Sequence, residues 1–507
     1  MRKSALWAMS LGAAIAATPL LAQVTETPIA PTQTQGGLVA GKVLDSGVRA
    51  WFGVPFAKPP INTLRWQPPQ PASWKGVWTA DRKMPECMQV LRPHNMNHYF
   101  GEEATSEDCL YLNIWEPASA TATANLPVMV WIHGGGFQIG ASAIPLYNGT
   151  HFAQDGVMLV SFNYRLNKFG FFAHPALTKE DPDAPLGNYA VLDQIAALKW
   201  VRANIAKFGG DPANVTVFGE SAGAMSVEYL MASPLARGLF DKAIVESGFG
   251  RFHLQSFAEA EGKGKAAAEG WGVKGDDTAA LRAVPAAAVL GDTTMDHNGF
   301  WPMIDGKIIP AQTIDAFESG KIAHVPFIVG SNSYEIGLFP MMAKGLSHRF
   351  AAEWPKAETL FDGFGRHDPA ILETQVATDL ILTEPTREVA RAAVRAGLPT
   401  WVYYYSYVNP SLRARYPGAP HFFEVPAVFG TMNLIEPHPG PETPKVVEAM
   451  NSRWADFAKT GKPGQWPEFS AGDEEWLDFS GDGAIPRKDL LKARLDFVEH
   501  LPPPKIN

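Results

Sequence analysis

Only two cysteines occur in 507 residues, and no run of lysine or arginine is dense enough to form a basic patch. With 52 acidic against 43 basic side chains the formal charge is −9, so nucleic acid finds no electrostatic footing and is not expected as a partner. No apolar stretch reaches the length of a bilayer span. The longest lies within the first 22 residues, and no cysteine follows it to carry a lipid, so no membrane anchor is expected. Internal repeats and low-complexity segments are also missing. What remains is a chain 46% hydrophobic and long enough to bury a large core.

The first residues carry a signal of their own. Arg2 and Lys3 precede an apolar stretch from Ala5 to Ala17, which ends at Thr18-Pro19-Leu20-Leu21-Ala22. Charged, apolar and small-residue regions in that order read as a secretory leader, cleaved after Ala22 or, as the alternative, at Ala14-Ile15-Ala16. Residues 23–35 read as a polar linker and 36–507 as a single domain. Export to the periplasm or the medium would place Cys87 and Cys109 in an oxidising compartment. Bridging them would stabilise the fold by roughly 3 kcal/mol; two free buried thiols are the alternative. His94 and His98 lie in the loop between them, beside Tyr99 and Phe100. No third ligand converges on them, so a polar surface loop is preferred, and neither a metal nor an organic cofactor is expected.

After an N-terminal part rich in Pro and Trp, the pattern becomes alternating apolar strand and amphipathic helix. Residues 110–115, 127–133, 157–164 and 215–218 read as strands, with a long helix from Tyr189 to Phe208 between the last two. Further strands are expected at 324–330 and 401–407. The order predicts an α/β fold with a large, mostly parallel central sheet covered by helices. The Ala-rich segments 250–284 and 341–398 read as helical insertions packed over the strand ends and the site.

Gly219-Glu220-Ser221-Ala222-Gly223 is the most informative run, because it joins the strand 215–218 to a helix from Ala222 to Met231. A strand reversing that sharply strains the serine, and glycines two before and two after keep side chains out of the turn. The turn lifts Ser221 Oγ clear of the sheet and aims the Ala222 N–H at the place where an oxyanion would form. A serine hydroxyl is a poor nucleophile until a base takes its proton, so a histidine and an orienting acid must follow, in the order that accompanies such an elbow. Glu335 fits the acid, just beyond the strand ending at Gly330. Of the histidines that follow it, His348, His367, His421, His438 and His500, His421 has the most suitable surroundings: a tight Gly418-Ala419-Pro420 loop and the water-excluding Phe422-Phe423. A second glycine turn, His133-Gly134-Gly135-Gly136-Phe137, follows the strand Val128 to Ile132 and would supply oxyanion donors from Gly135 and Gly136.

Together these residues resemble the type-B carboxylesterase family, which includes cholinesterases and bacterial p-nitrobenzyl esterases. The likeness runs from about Gly37 to about Phe479 and includes Phe208-Gly209-Gly210-Asp211-Pro212 ahead of the elbow, Glu107 to Trp115, Asn163-Tyr164-Arg165-Leu166, Gly187-Asn188 with Asp193-Gln194, and Trp454 to Gly461. The resemblance implies an α/β-hydrolase fold and a serine carboxylic-ester hydrolase acting through an acyl-enzyme on small to medium uncharged esters. It assigns Ser221, Glu335 and His421 as triad, Gly135, Gly136 and Ala222 as oxyanion donors, and Cys87–Cys109 as a disulfide. Glu220 and Ser226 match positions near the triad, with structural hydrogen bonding preferred for Ser226. The acyl-pocket segment resembles 298–306, with Phe300 as an aromatic wall and polar Asn298 where cholinesterases place another, which implies a wider acyl pocket. The loop between the cysteines lacks the tryptophan that receives choline. An amidase or lactone hydrolase would share this machinery, and a non-catalytic binding protein of the same fold is disfavoured by the intact triad.

Overall fold

The computed structural model describes residues 29–90, 104–121, 123–291, 300–366, 368–436, 438–470 and 472–502. The expected leader, His94, His98, Tyr99, Phe100, Asn298 and His367 lie outside these residues. Part of the expected linker does not: Thr32–Gln33 pairs antiparallel with Leu38–Ala40, across a turn closed by Thr34 Oγ1 donating to the Gly37 carbonyl at 2.7 Å.

One eleven-stranded sheet runs through the molecule. From edge to edge its strands are Gly483–Lys488, Glu475–Ser480, Thr400–Tyr405, Phe327–Asn332, Lys242–Glu246, Gly210–Glu220, Leu126–Ile132, Met158–Phe162, Tyr111–Glu116, Arg49–Pro55 and Lys42–Val43. Pairing is parallel from Glu475–Ser480 across to Met158–Phe162, and antiparallel at both ends. The terminal hairpin is not anticipated by the sequence reading, although Trp476-Leu477-Asp478-Phe479 before Gly481-Asp482-Gly483 carries alternation and a turn signal.

The central strands read as unbroken apolar runs because both faces are covered. Their side chains alternate between two cores. Val128, Val130, Ile132, Val215, Val217, Val245 and Val329 enter one, beneath helices Tyr189–Asn204 and Ala222–Ala232. Met129, Trp131, Phe218, Ile244, Ile328 and Tyr403 enter the other, with Val446, Met450, Trp454 and Phe457 of helix Thr443–Thr460. A one-residue slip of any central strand would exchange its two sets of partners.

One ion pair ties the sheet to helix Tyr189–Asn204. Arg165, just past strand Met158–Phe162, donates from Nε (2.8 Å) and Nη2 (2.7 Å) to the two carboxylate oxygens of Asp193, and both side chains are buried. Removing one partner strands the other charge in the core, so Asp193→Asn is expected to destabilise the fold by about 3–5 kcal/mol. Urea unfolding of the two proteins would measure it, and a loss below about 1 kcal/mol would refute this account.

Candidate active site

Strand Gly210–Glu220 turns directly into helix Ala222–Ala232, and Ser221 between them has φ 57° and ψ −121°, a strained conformation for a residue with a side chain. Both flanking glycines are required by close approach: a Cβ on Gly219 would lie 2.7 Å from the Ile132 carbonyl oxygen, and one on Gly223 only 2.0 Å from it. Ser221 N–H donates to the Glu246 carbonyl at 2.9 Å, which fixes the turn to the neighbouring strand. Ser226 Oγ donates to the Ala222 carbonyl (2.8 Å) and accepts from Gln194 Nε2 (2.9 Å), so its contacts hold the helix start in place.

The second turn is built the same way. Gly135 and Gly136 have φ of 107° and 60°, and a Cβ on Gly135 would sit 2.1 Å from the Ile139 carbonyl oxygen. His133 beneath it stacks on Tyr164 at 4.4 Å, while Tyr164 Oη donates to the His133 carbonyl at 2.7 Å. Burial lowers the His133 pKa to about 4, so this imidazole is neutral and structural.

Glu335 follows strand Phe327–Asn332 and His421 lies in the loop beyond Thr400–Tyr405. His421 Nδ1 lies 2.6 Å from Glu335 Oε2, and since a carboxylate only accepts, Nδ1 is the donor. The other oxygen, Oε1, accepts from the Asn332 N–H and from Ser247 Oγ, both at 2.6 Å. Ser221, Ala222, Gly135, Gly136, Glu335 and His421 all line one cavity of about 380 Å³. Among the described residues its remaining walls are apolar, with Met225, Phe249, Phe252, Trp301, Leu382 and the run from Leu338 to Met342. Leu382 belongs to a π-helical turn, Asp379–Thr383, interrupting a long helix; Asp379 in that turn is held by Arg494 through two hydrogen bonds of 2.9 Å.

Three features differ from the sequence reading or were missed by it. Phe300, expected in the acyl wall, stacks on Phe172 at 6.0 Å, and its neighbour Trp301 lines the cavity instead. Glu220 does more than neighbour the nucleophile: its Oε1 lies 3.1 Å from His421 Nε2, so both ring nitrogens face carboxylates. Glu246 and Glu424 are also fully buried close behind, Glu246 accepting from Trp454 Nε1 at 2.7 Å and Glu424 from Asn332 Nδ2. The available signals were a glutamate ending a strand and one three residues after the histidine, and neither identifies its partner.

This crowding sets the local pKa values. Burial and the charges of Glu220 and Glu335 push Glu424 up to about 8. Burial alone would lower the pKa of His421, but Glu220 and Glu335, with Glu424 behind them, overcome it and raise the ring to about 9. At neutral pH the protonated ring would then predominate over the neutral form a base requires. The kcat/KM for a neutral ester should therefore rise with pH toward about 9. Glu220→Gln removes the largest raising charge and is expected to move that limb to lower pH, read from pH–rate profiles between pH 5 and 10. An unmoved limb would transfer the effect to Glu335.

A strained serine elbow, a glycine turn facing it and a Glu–His pair, all at the ends of parallel strands, define an α/β-hydrolase. A sequence model of the carboxylesterase family matches residues 26–358 and 371–498, and the chain belongs to that family. It is 34% identical over 496 residues to the fumonisin B1 esterase of Sphingopyxis macrogoltabida, covering 91% of this chain and 88% of that protein. Identity to the para-nitrobenzyl esterase of Bacillus subtilis (strain 168) is 35% over 469 residues, with coverage of 88% and 93%. A solved PNB esterase structure superposes with a TM-score of 0.79 at 32% identity, over 92% of this chain and 99% of that one. The protein is a carboxylic-ester hydrolase.

Proposed function

We propose that Ser221 is the nucleophile, His421 its general base, Glu335 the acid that orients His421, and the N–H groups of Gly135, Gly136 and Ala222 the oxyanion donors. The observation that carries this reading is that all six line one cavity, with Glu335 2.6 Å from His421. His421 Nε2 takes the Ser221 proton as Oγ attacks the ester carbonyl. The tetrahedral oxyanion is held by the three N–H groups, each contributing roughly two to four kcal/mol. His421 then protonates the departing alcohol, and a water it activates releases the acid from the acyl-enzyme.

Among the described residues that line the cavity, Glu335 and His421 are the only charged or titratable side chains and Ser221 the other polar one, in a wall otherwise apolar, which favours small to medium uncharged esters. The leader at residues 1–22 and the disulfide between Cys87 and Cys109 support export to the periplasm or the medium. Among the described residues no helix is long and apolar enough to cross a membrane. Labelling with a fluorophosphonate and locating the adduct by mass spectrometry tests the assignment. The expected adduct is on Ser221, and one on another residue would overturn it.

A further inference from the structure

We propose that Arg251 is a positioning residue for the ester site: it clamps the segment carrying Phe249 and Phe252 to helix Glu384–Arg395, and so fixes part of the apolar wall against which substrate is bound. The proposal rests on the reading of this cavity as the ester site.

Residues 247–254 join strand Lys242–Glu246 to strand Gln255–Ser256 without regular structure. Their ends are fastened. The Ser247 N–H donates to the Gly330 carbonyl (2.9 Å), and the Leu254 N–H and carbonyl pair with the side-chain amide of Gln312 (2.9 Å each). Phe249 and Phe252 lie between these points, joined by a turn in which the Phe252 N–H donates to the Phe249 carbonyl at 2.7 Å. Aromatic side chains on a stretch outside strand and helix need a tie of their own to hold one position.

Arg251 supplies it. Its Nη1 pairs with Glu384 Oε2 and its Nε donates to Glu388 Oε2, so one guanidinium spans two carboxylates a turn apart on one helix face. The helix is itself a fixed platform. Its buried Arg387 donates to Asp496 Oδ1 (2.7 Å) and Glu499 Oε2 (3.1 Å), in and just past helix Lys492–Val498. It also continues directly from the π-helical turn that brings Leu382 into the cavity, so the clamp joins two of the cavity's walls. The backbone is drawn in close: a Cβ on Gly250 would lie 2.5 Å from Val389 Cγ2 of that helix, and one on Gly248 2.7 Å from Glu228 Oε1 of helix Ala222–Ala232. Burial pushes Glu384 up to about 7, and Arg251 is the foremost charge opposing that rise. Glu384 can therefore take up a proton when Arg251 is removed, so losing the clamp does not strand a charge. The triad has separate anchors, Ser221 on the Glu246 carbonyl and Glu335 on the Asn332 N–H, and the loss should fall on binding rather than on chemistry.

Arg251→Met is expected to raise KM for 1-naphthyl butyrate by roughly tenfold, the scale of a lost apolar fit, while kcat and the rate of Ser221 labelling by a small fluorophosphonate change by less than about twofold. Arg251→Lys keeps the charge but not the fork and should fall between wild type and Arg251→Met. Glu388→Gln removes one of the two carboxylates and should raise KM in the same direction by less. Asp193→Asn, destabilised at a separate ion pair, controls for stability and should keep the wild-type KM. If Arg251→Met does not fold, the lysine and glutamine variants carry the test. An unchanged KM in the folded variants, a kcat and labelling rate that fall as far as KM rises, or an equal rise in KM for Asp193→Asn would overturn the proposal. Wild-type protein that does not hydrolyse this ester, or is labelled away from Ser221, would instead refute the reading on which it rests.

Discussion

Replacing Ser221 with alanine is expected to lower kcat by roughly 10⁵- to 10⁶-fold while leaving the fold in place. Alanine keeps the N–H that donates to the Glu246 carbonyl, and it enters a backbone conformation already strained for serine, so thermal unfolding should change little. The activity that survives would come from substrate binding and the oxyanion donors, which need no nucleophilic hydroxyl. Steady-state hydrolysis of one ester, with phosphonate labelling alongside, measures both consequences. A variant retaining more than about a hundredth of the rate would place the nucleophile elsewhere.

Glu335→Gln should cost about 10⁴-fold in kcat, and the geometry gives the reason. Glu335 Oε1 accepts two donors, the Asn332 N–H and Ser247 Oγ, so the amide oxygen of a glutamine is drawn to that position. The amide nitrogen then faces His421 Nδ1, which must become an acceptor. The proton moves to Nε2, and the nitrogen that should receive the Ser221 proton is blocked. The labelling rate should fall with kcat, since both need the same base. Loss of kcat with unchanged labelling would show that Glu335 acts after the serine is activated.

How much of this could be read beforehand depended on distance along the chain. The elbow and the glycine turn were legible because their demands are local: positive φ and close backbone approach fall on residues within the motif itself. The parallel strands announced themselves as continuous apolar runs, since a sheet covered on both faces tolerates little else. The strand at 215–218 extends to Gly210–Glu220 in the structure, with its register broken between Gly210 and Val215 where Asp211-Pro212 interrupts the pattern.

Glu246 and Glu424 were not legible as neighbours of His421, because nothing local shows that the end of strand Lys242–Glu246 and the loop after His421 meet behind Ser221. The choice between Phe300 and Trp301 was equally hidden. Adjacent aromatic residues in an irregular segment have no fixed periodicity, and only the packing of Phe172 on one side and Phe137 on the other decides which ring enters the cavity.

The sequence by itself determined the chemistry: a serine raised by its elbow, an acid and a histidine in the required order, and glycines whose N–H groups can approach an oxyanion. Each is set by residue type and by backbone sterics over a few positions. Tertiary structure alone decided the electrostatics and the shape around that chemistry. It set Glu220 against Nε2 of His421, held the buried carboxylates together and brought Trp301 over Gly136. Those properties depend on contacts between segments far apart in the chain, and they exist only once the sheet has brought the ends of its strands together.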